Sequence, residues 1–321
     1  MGEISHRFVK TNGIKMHIVE QGKGQLVILC HGFPELWYSW RHQLPALAGS
    51  GFHAVAPDQR GYGQTESPEP IESYGILQLT GDIVGLVHAL GEERAVIVGH
   101  DWGAPVAWHC ALLRPDIFHA LILLSVPYLP GSWESIPPTD AMKQMAGDKE
   151  FYQLYFQEPG KAEKELEEDV RKTMLTFLYS ASGDPPPEKR WRFLFSKSER
   201  FIDTGFLPDS LPAWLTDQDV DLFTQEFQRT GFRGGINWYR NMDRNRELTP
   251  FLNGAKIHQP ALFVAGELDG VIVMYRQPYD SLETNVPNLK KKKLVPGAGH
   301  WIQQERPDEV NKLLIEFLTD L

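Results

Sequence analysis

Five consecutive residues, Gly99-His100-Asp101-Trp102-Gly103, have the spacing of a tight turn that lifts one side chain clear of the backbone: glycine, any residue, nucleophile, any residue, glycine. The apolar run AVIVG before the turn reads as a buried strand, and the residues after it as the start of a helix. The nucleophile position holds a carboxylate. A serine attacking a saturated carbon forms an ether, which activated water does not cleave. An aspartate forms an ester instead, and water can attack the ester carbonyl and regenerate the side chain. Asp101 therefore predicts substitution at an sp³ carbon, followed by hydrolysis of an alkyl ester. Helix N–H groups beginning near Trp102 favour negative charge at this point and keep the carboxylate ionised.

That second step needs a base and a group to orient it. Further along the chain, ALFVAGELD reads as a strand whose following loop opens at Asp269, and after the next strand VPGAGHW presents His300. The order nucleophile, acid, histidine, each past a strand end, suits His300 as general base and Asp269 as its orienting acid. Glu267 competes for the acid role, but it sits in the last residues of the strand, which favours Asp269. Upstream, the loop LCHGFPE offers the backbone N–H of Phe33, which with that of Trp102 would form an oxyanion hole. Pro34 limits Phe33 to an extended or cis-type turn. His31 and His100 are expected to brace loops, and His109 and His119 to be structural. For Glu35 two readings stay open: a member of a water chain near His300, or a loop-bracing carboxylate.

These residues need a frame that brings distant strand ends together. The start of the chain alternates apolar and polar residues on both sides of Asn12-Gly13, the signature of a β-hairpin. The runs LVILC, HAVAP, AVIVG and ALILLS follow, apolar on both faces and separated by helical spacing such as ILQLTGDIVGLVHALG. That pattern predicts an α/β fold with a mostly parallel sheet covered on both sides. From 128 to 248 strand-like runs vanish and helical segments alternate with proline-rich loops, so the expected division is core 1–127, all-helical cap 128–248, core 249–321. Within the cap, Thr216 followed by Asp219 marks a helix start. DQRGYGQT reads as a braced loop held by Asp58 and Arg60, with Gly61 and Gly63 at its turns.

A chain of 321 residues, 42% hydrophobic and 23% charged, can bury a large core and a closed pocket. A net charge of −10 argues against nucleic acid or an anionic membrane as partner. The basic run Lys290 to Lys293 is read as a solvated strand entry. With only Cys30 and Cys110 no disulfide framework is expected. No segment is apolar enough for a membrane span, and Gly2 begins no acylation signal because Ser5 falls one position too early. A soluble cytoplasmic protein is predicted.

Six stretches in order, HGFPELWYSWRHQ, DQRGYGQT, GHDWGAPVAW, YQLYFQEPG, GFRGGINWYRNM and GHWIQQERP, resemble the soluble epoxide hydrolases of the α/β-hydrolase fold across essentially the whole chain. The resemblance is to the short plant and bacterial forms and to the hydrolase portion of the animal enzymes. It implies two cap tyrosines that hold the epoxide oxygen, placed by the motifs at Tyr152 and Tyr239, with Tyr155 as the alternative to Tyr152. Opening an epoxide develops alkoxide charge, which two phenol O–H donors stabilise while one supplies a proton. Without the resemblance these tyrosines read as packing residues. It further implies a lipophilic epoxide and water as the reactants, and no cofactor or metal. Haloalkane dehalogenases share the aspartate turn, but they hold halide with tryptophan or asparagine N–H groups, and Phe33 stands here where asparagine is common. Fluoroacetate dehalogenases tend to carry arginine where this chain has Trp102. A small-molecule receptor of the same fold is the alternative from another class. Oligomeric state is left open.

Overall fold

A computed structural model describes residues 3–131 and 136–321; Gly2 lies outside them. Its centre is a sheet of eight strands: β1 (Ser5–Thr11), β2 (Ile14–Gly22), β3 (Gln25–Cys30), β4 (Phe52–Pro57), β5 (Ala95–His100), β6 (Phe118–Leu124), β7 (Ala261–Gly266) and β8 (Leu289–Val295). The spatial order is β1-β2-β4-β3-β5-β6-β7-β8. The β1–β2 and β2–β4 pairs are antiparallel and the others parallel. The β1–β2 turn places Asn12 at φ 42° and Gly13 at φ 79°, the pair of positive values that its sequence demands.

The continuous apolar runs are explained by burial on both faces. In β3, Ile28 and Cys30 face one core and Val27 and Leu29 the other; in β7, Phe263 and Ala265 alternate with Leu262 and Val264 in the same way. Helices α1 (Gln43–Gly49) and the C-terminal Pro307–Thr319 cover one face, the latter through Val310, Leu314 and Phe317. Helices α2 (Ile76–Ala89) and α3 (Gly103–Leu113) cover the other. The lysine run is not a strand entry but the body of edge strand β8, where its charges meet Glu283, Glu309 and Glu316. Charged side chains on an edge strand discourage pairing with another chain.

Between β6 and β7 the chain leaves the sheet and packs over the C-terminal strand ends. This excursion contains α4 (Val170–Ser180), α5 (Asp217–Thr230) and α6 (Arg233–Arg240). Thr216 caps α5 reciprocally: Thr216 Oγ accepts from Asp219 N–H, while Thr216 N–H donates to Asp219 Oδ2 at 2.8 Å. The excursion is not all helical. Glu150–Phe151 pairs antiparallel with Leu194–Phe195, a two-residue ribbon too short to leave an alternation in the sequence. Among the described residues no helix is long and apolar enough to cross a membrane.

Candidate active site

Strand β5 ends and α3 begins within three residues, which is possible only because two glycines allow backbones to touch. A Cβ on Gly99 would stand 2.1 Å from Gly103 O, and one on Gly103 would stand 2.0 Å from Cys30 O. The turn between them holds Asp101 at φ 48°, a left-handed conformation that is uncommon outside glycine and that turns its carboxylate away from the sheet.

Two partners converge on that carboxylate. Phe33 N–H, on the loop after β3, donates to Asp101 Oδ1 at 2.8 Å, and the Phe33–Pro34 bond is cis. His300 Nε2 lies 3.5 Å from Asp101 Oδ2. Behind His300, its Nδ1 faces both oxygens of Asp269 at 3.3 Å. Asp269 is wholly buried and fixed by Val271 N–H at 2.9 Å, whereas Glu267 is exposed and points elsewhere. Burial alone would raise the Asp101 carboxyl, but the hydrogen bond and charge of His300, with the Phe33 N–H, outweigh it and hold the group below the usual carboxylate value. Burial would likewise lower His300; the charge of Asp269 and the bond to Asp101 outweigh it and raise the imidazole well above 6.5. Its two carboxylate neighbours thus favour the protonated imidazole.

Across the cavity stand Tyr152, on the short helix Tyr152–Tyr155, and Tyr239, near the end of α6, their ring centroids 6.1 Å apart. Gln153 Nε2 donates to Tyr152 Oη at 2.7 Å, and Trp102 packs edge-on against the Tyr239 ring at a centroid distance of 5.1 Å. Burial raises both phenols well above 10, so they stay protonated and able to donate. Tyr155 is turned away, its hydroxyl donating to Glu165 at 2.8 Å. Phe33, Phe177, Trp191 and Phe201 give the cavity apolar walls, and a second cleft lined by Trp102, Trp108 and Met242 meets it at Asp101.

Beneath Asp101 lies Glu35, with protein partners at both carboxylate oxygens. This side chain is wholly buried; Oε1 takes His100 at 2.6 Å and Gly32 N–H at 2.8 Å, and Oε2 takes Gln303 at 2.9 Å. The other ring nitrogen of His100 faces the carbonyl of His300 at 2.7 Å, so both its nitrogens face acceptors. Glu35 is thus linked through His100 to the backbone of His300. His31 braces its loop: its Nε2 accepts from Gln59 N–H at 3.1 Å and its Nδ1 donates to Gly32 O. Asp58 holds its loop through His17, Trp37 N–H and Gln64 N–H, and Arg60 pairs with buried Asp82.

Two residues of this site are not singled out by the sequence reading. Ser125, one residue past β6, touches both His300 and Asp269. Glu305 is buried and accepts from the amides on either side of His300, Gly299 at 2.8 Å and Trp301 at 3.0 Å, and from Gly183 of the excursion at 2.9 Å. Only Glu305 had a possible cue, a carboxylate five residues after the histidine with two polar neighbours. Among the described residues no cluster of three or more His, Cys, Asp or Glu side chains is arranged to hold a metal ion.

A two-sided, mostly parallel sheet, a tight turn bearing an aspartate after its fifth strand and a histidine after its eighth define an α/β hydrolase, and the family model of the alpha/beta hydrolase fold matches residues 25–307. The chain belongs to that family, among its epoxide hydrolases. It is 48% identical over 323 residues to Epoxide hydrolase A of Mycobacterium tuberculosis, covering 100% of this chain and 99% of the relative. It is 40% identical to Bifunctional epoxide hydrolase 2 of Sus scrofa, covering 98% of this chain but 55% of that longer protein. Among solved structures, an epoxide hydrolase from an endophytic Streptomyces superposes with a TM-score of 0.95 at 47% identity, over 98% of this chain and 95% of that one.

Proposed function

We propose that this enzyme converts lipophilic epoxides to vicinal diols through a covalent ester on Asp101, with residues 128–248 serving as a cap over core segments 1–127 and 249–321. The observation that carries the reading is one cavity with a carboxylate backed by His300 and Asp269 on one side and two phenols on the other. The Tyr152 and Tyr239 hydroxyls donate to the epoxide oxygen. Asp101 attacks a ring carbon, the C–O bond breaks toward oxygen, and one phenol delivers the proton that the alkoxide needs.

Esterification removes the negative charge from Asp101. His300 then loses one of the two carboxylates that hold its proton, so its pKa falls as the next step calls for a base. The released proton makes good the one given up by the tyrosine. Nε2 accepts a proton from water, the water attacks the ester carbonyl, and the oxyanion forms where Phe33 N–H already points, with Trp102 N–H as the second donor. Collapse expels the second oxygen of the diol as alkoxide, which takes the proton of the hydroxyl that water left on the carboxyl carbon, so Asp101 returns as carboxylate and His300 keeps its proton.

The experiment is mass spectrometry of a His300→Gln variant exposed to an aryl epoxide. The expected result is a mass increase equal to that of the epoxide on the peptide containing Asp101. An adduct elsewhere, or none under conditions where the wild type turns over, refutes the mechanism. Halide release from a haloalkane without diol formation would favour the dehalogenase reading, and tight binding of an epoxide without turnover the receptor.

A further inference from the structure

We propose that Ser125 is a positioning residue for the hydrolytic half-reaction, its hydroxyl forming the working link between the acid Asp269 and the base His300. The assignment rests on the ester mechanism above. Ser125 is wholly buried, and its Oγ donates to Asp269 Oδ2 at 2.6 Å and lies 2.9 Å from His300 Nδ1. The direct contacts between His300 Nδ1 and the two Asp269 oxygens are both 3.3 Å, longer than the roughly 2.7–2.9 Å of a charge-assisted N–H···O bond. The shortest path from base to acid thus runs through the serine.

The proton count makes the link directional. A hydroxyl has one hydrogen, and Ser125 gives it to Asp269, so toward His300 its oxygen can only accept. Nδ1 must then carry hydrogen, and in the neutral ring the lone pair is on Nε2, the nitrogen that faces Asp101. Asp269 is held at both oxygens, Oδ1 by Val271 N–H and Oδ2 by Ser125. Removing the hydroxyl leaves Oδ2 only the imidazole and frees carboxylate and ring to turn.

The backbone is specialised to deliver this contact. Ser125 has φ 68°, and its N–H donates to Val264 O of β7 at 3.0 Å, which pins the residue to the strand whose end bears Asp269. A non-glycine residue in that region is uncommon and costs strain, a cost that recurs at functional positions.

Single-turnover kinetics of Ser125→Ala and Ser125→Gly test the proposal. Glycine removes the hydroxyl and relieves the positive φ, so that variant folds without the backbone cost. In both, ester hydrolysis should slow at least about tenfold while alkylation of Asp101 stays within about threefold, as expected for a group acting only through the base. In an Asp269→Asn background the same removal should change hydrolysis by less than about threefold, because the link already lacks its charged end. Hydrolysis within about twofold of wild type, an equal fall in both half-reactions, or additive losses in the double variant each overturn the assignment. No ester at all on wild-type enzyme overturns the mechanism and this proposal with it, whereas an ester hydrolysed normally by the variants overturns this proposal alone.

Discussion

Replacing both cavity tyrosines by phenylalanine isolates the epoxide-opening step, and the structure sets its size. Each Tyr→Phe change keeps the ring and its contacts: Tyr239 packs edge-on against Phe33, Trp102 and Phe156 at centroid distances of 5.6, 5.1 and 5.1 Å, and Tyr152 lies 5.6 Å from Phe193. What is lost is one O–H donor. Loss of a comparable oxyanion donor costs about 3 kcal/mol, roughly a hundredfold in rate, so each single variant should alkylate slowly and remain active. Two such losses sum to about 6 kcal/mol, or roughly four orders of magnitude in the double variant. The fold should hold. Tyr152→Phe deprives Gln153 Nε2 of an acceptor, at a cost of about 1–3 kcal/mol at most. Nine tryptophans, with Trp102 next to the nucleophile, supply a stopped-flow fluorescence signal for ester formation. Hydrolysis of the preformed ester should be unchanged, because no charge then develops at the phenols. A double variant alkylating within about tenfold of wild type refutes the reasoning, since two donors cannot be so nearly idle.

Stability should follow the site's protonation. Asp101 is depressed below 3.8, so its contribution is present above that pH and lost as pH falls through the folded value; His300 is raised above 6.5, so its contribution is full below 6.5 and fades as pH rises through the folded value. Thermal midpoints of wild type and His300→Gln should therefore differ most between pH 3.8 and 6.5 and converge above, and a constant difference from about pH 5 to about pH 9 contradicts the charge placement. Glu305→Gln has one oxygen for three N–H donors. Hydrogen exchange should then quicken at Gly183, Gly299 and Trp301 together, with ester hydrolysis slowed more than alkylation; exchange unchanged at these amides means that Glu305 does not clamp the base loop.

How much of this site was legible in one dimension depended on the reach of each interaction. The turn at Asp101 is local chemistry: glycines two residues before and after it are required by backbone contacts inside a few residues, so the sequence displays them. The hairpin at Asn12-Gly13, the cap at Thr216 and the two-faced apolar strands are legible for the same reason. Chain order then suffices for His300 and for Asp269 over Glu267, because a parallel sheet brings successive strand ends to one edge. Tyr152 and Tyr239 carry no local signature, and composition alone assigns them to packing; resemblance to a family singled them out, and only folding places them on one cavity opposite Asp101.

Contacts between segments far apart in sequence are what the tertiary structure alone decided. Glu35 meets His100 and Gln303 across 65 and 268 residues, and a carboxylate after a proline gives no hint whether it faces water or a buried imidazole. Ser125 is one serine among many until β6 and β7 lie side by side and its positive φ turns the hydroxyl to Asp269, 144 residues away. Sequence by itself determined which residues could supply a nucleophile, a base and an acid, because that follows from functional groups and turn geometry. Their protonation depends instead on burial and on charges a few ångströms away, and those exist only once the chain has closed around them.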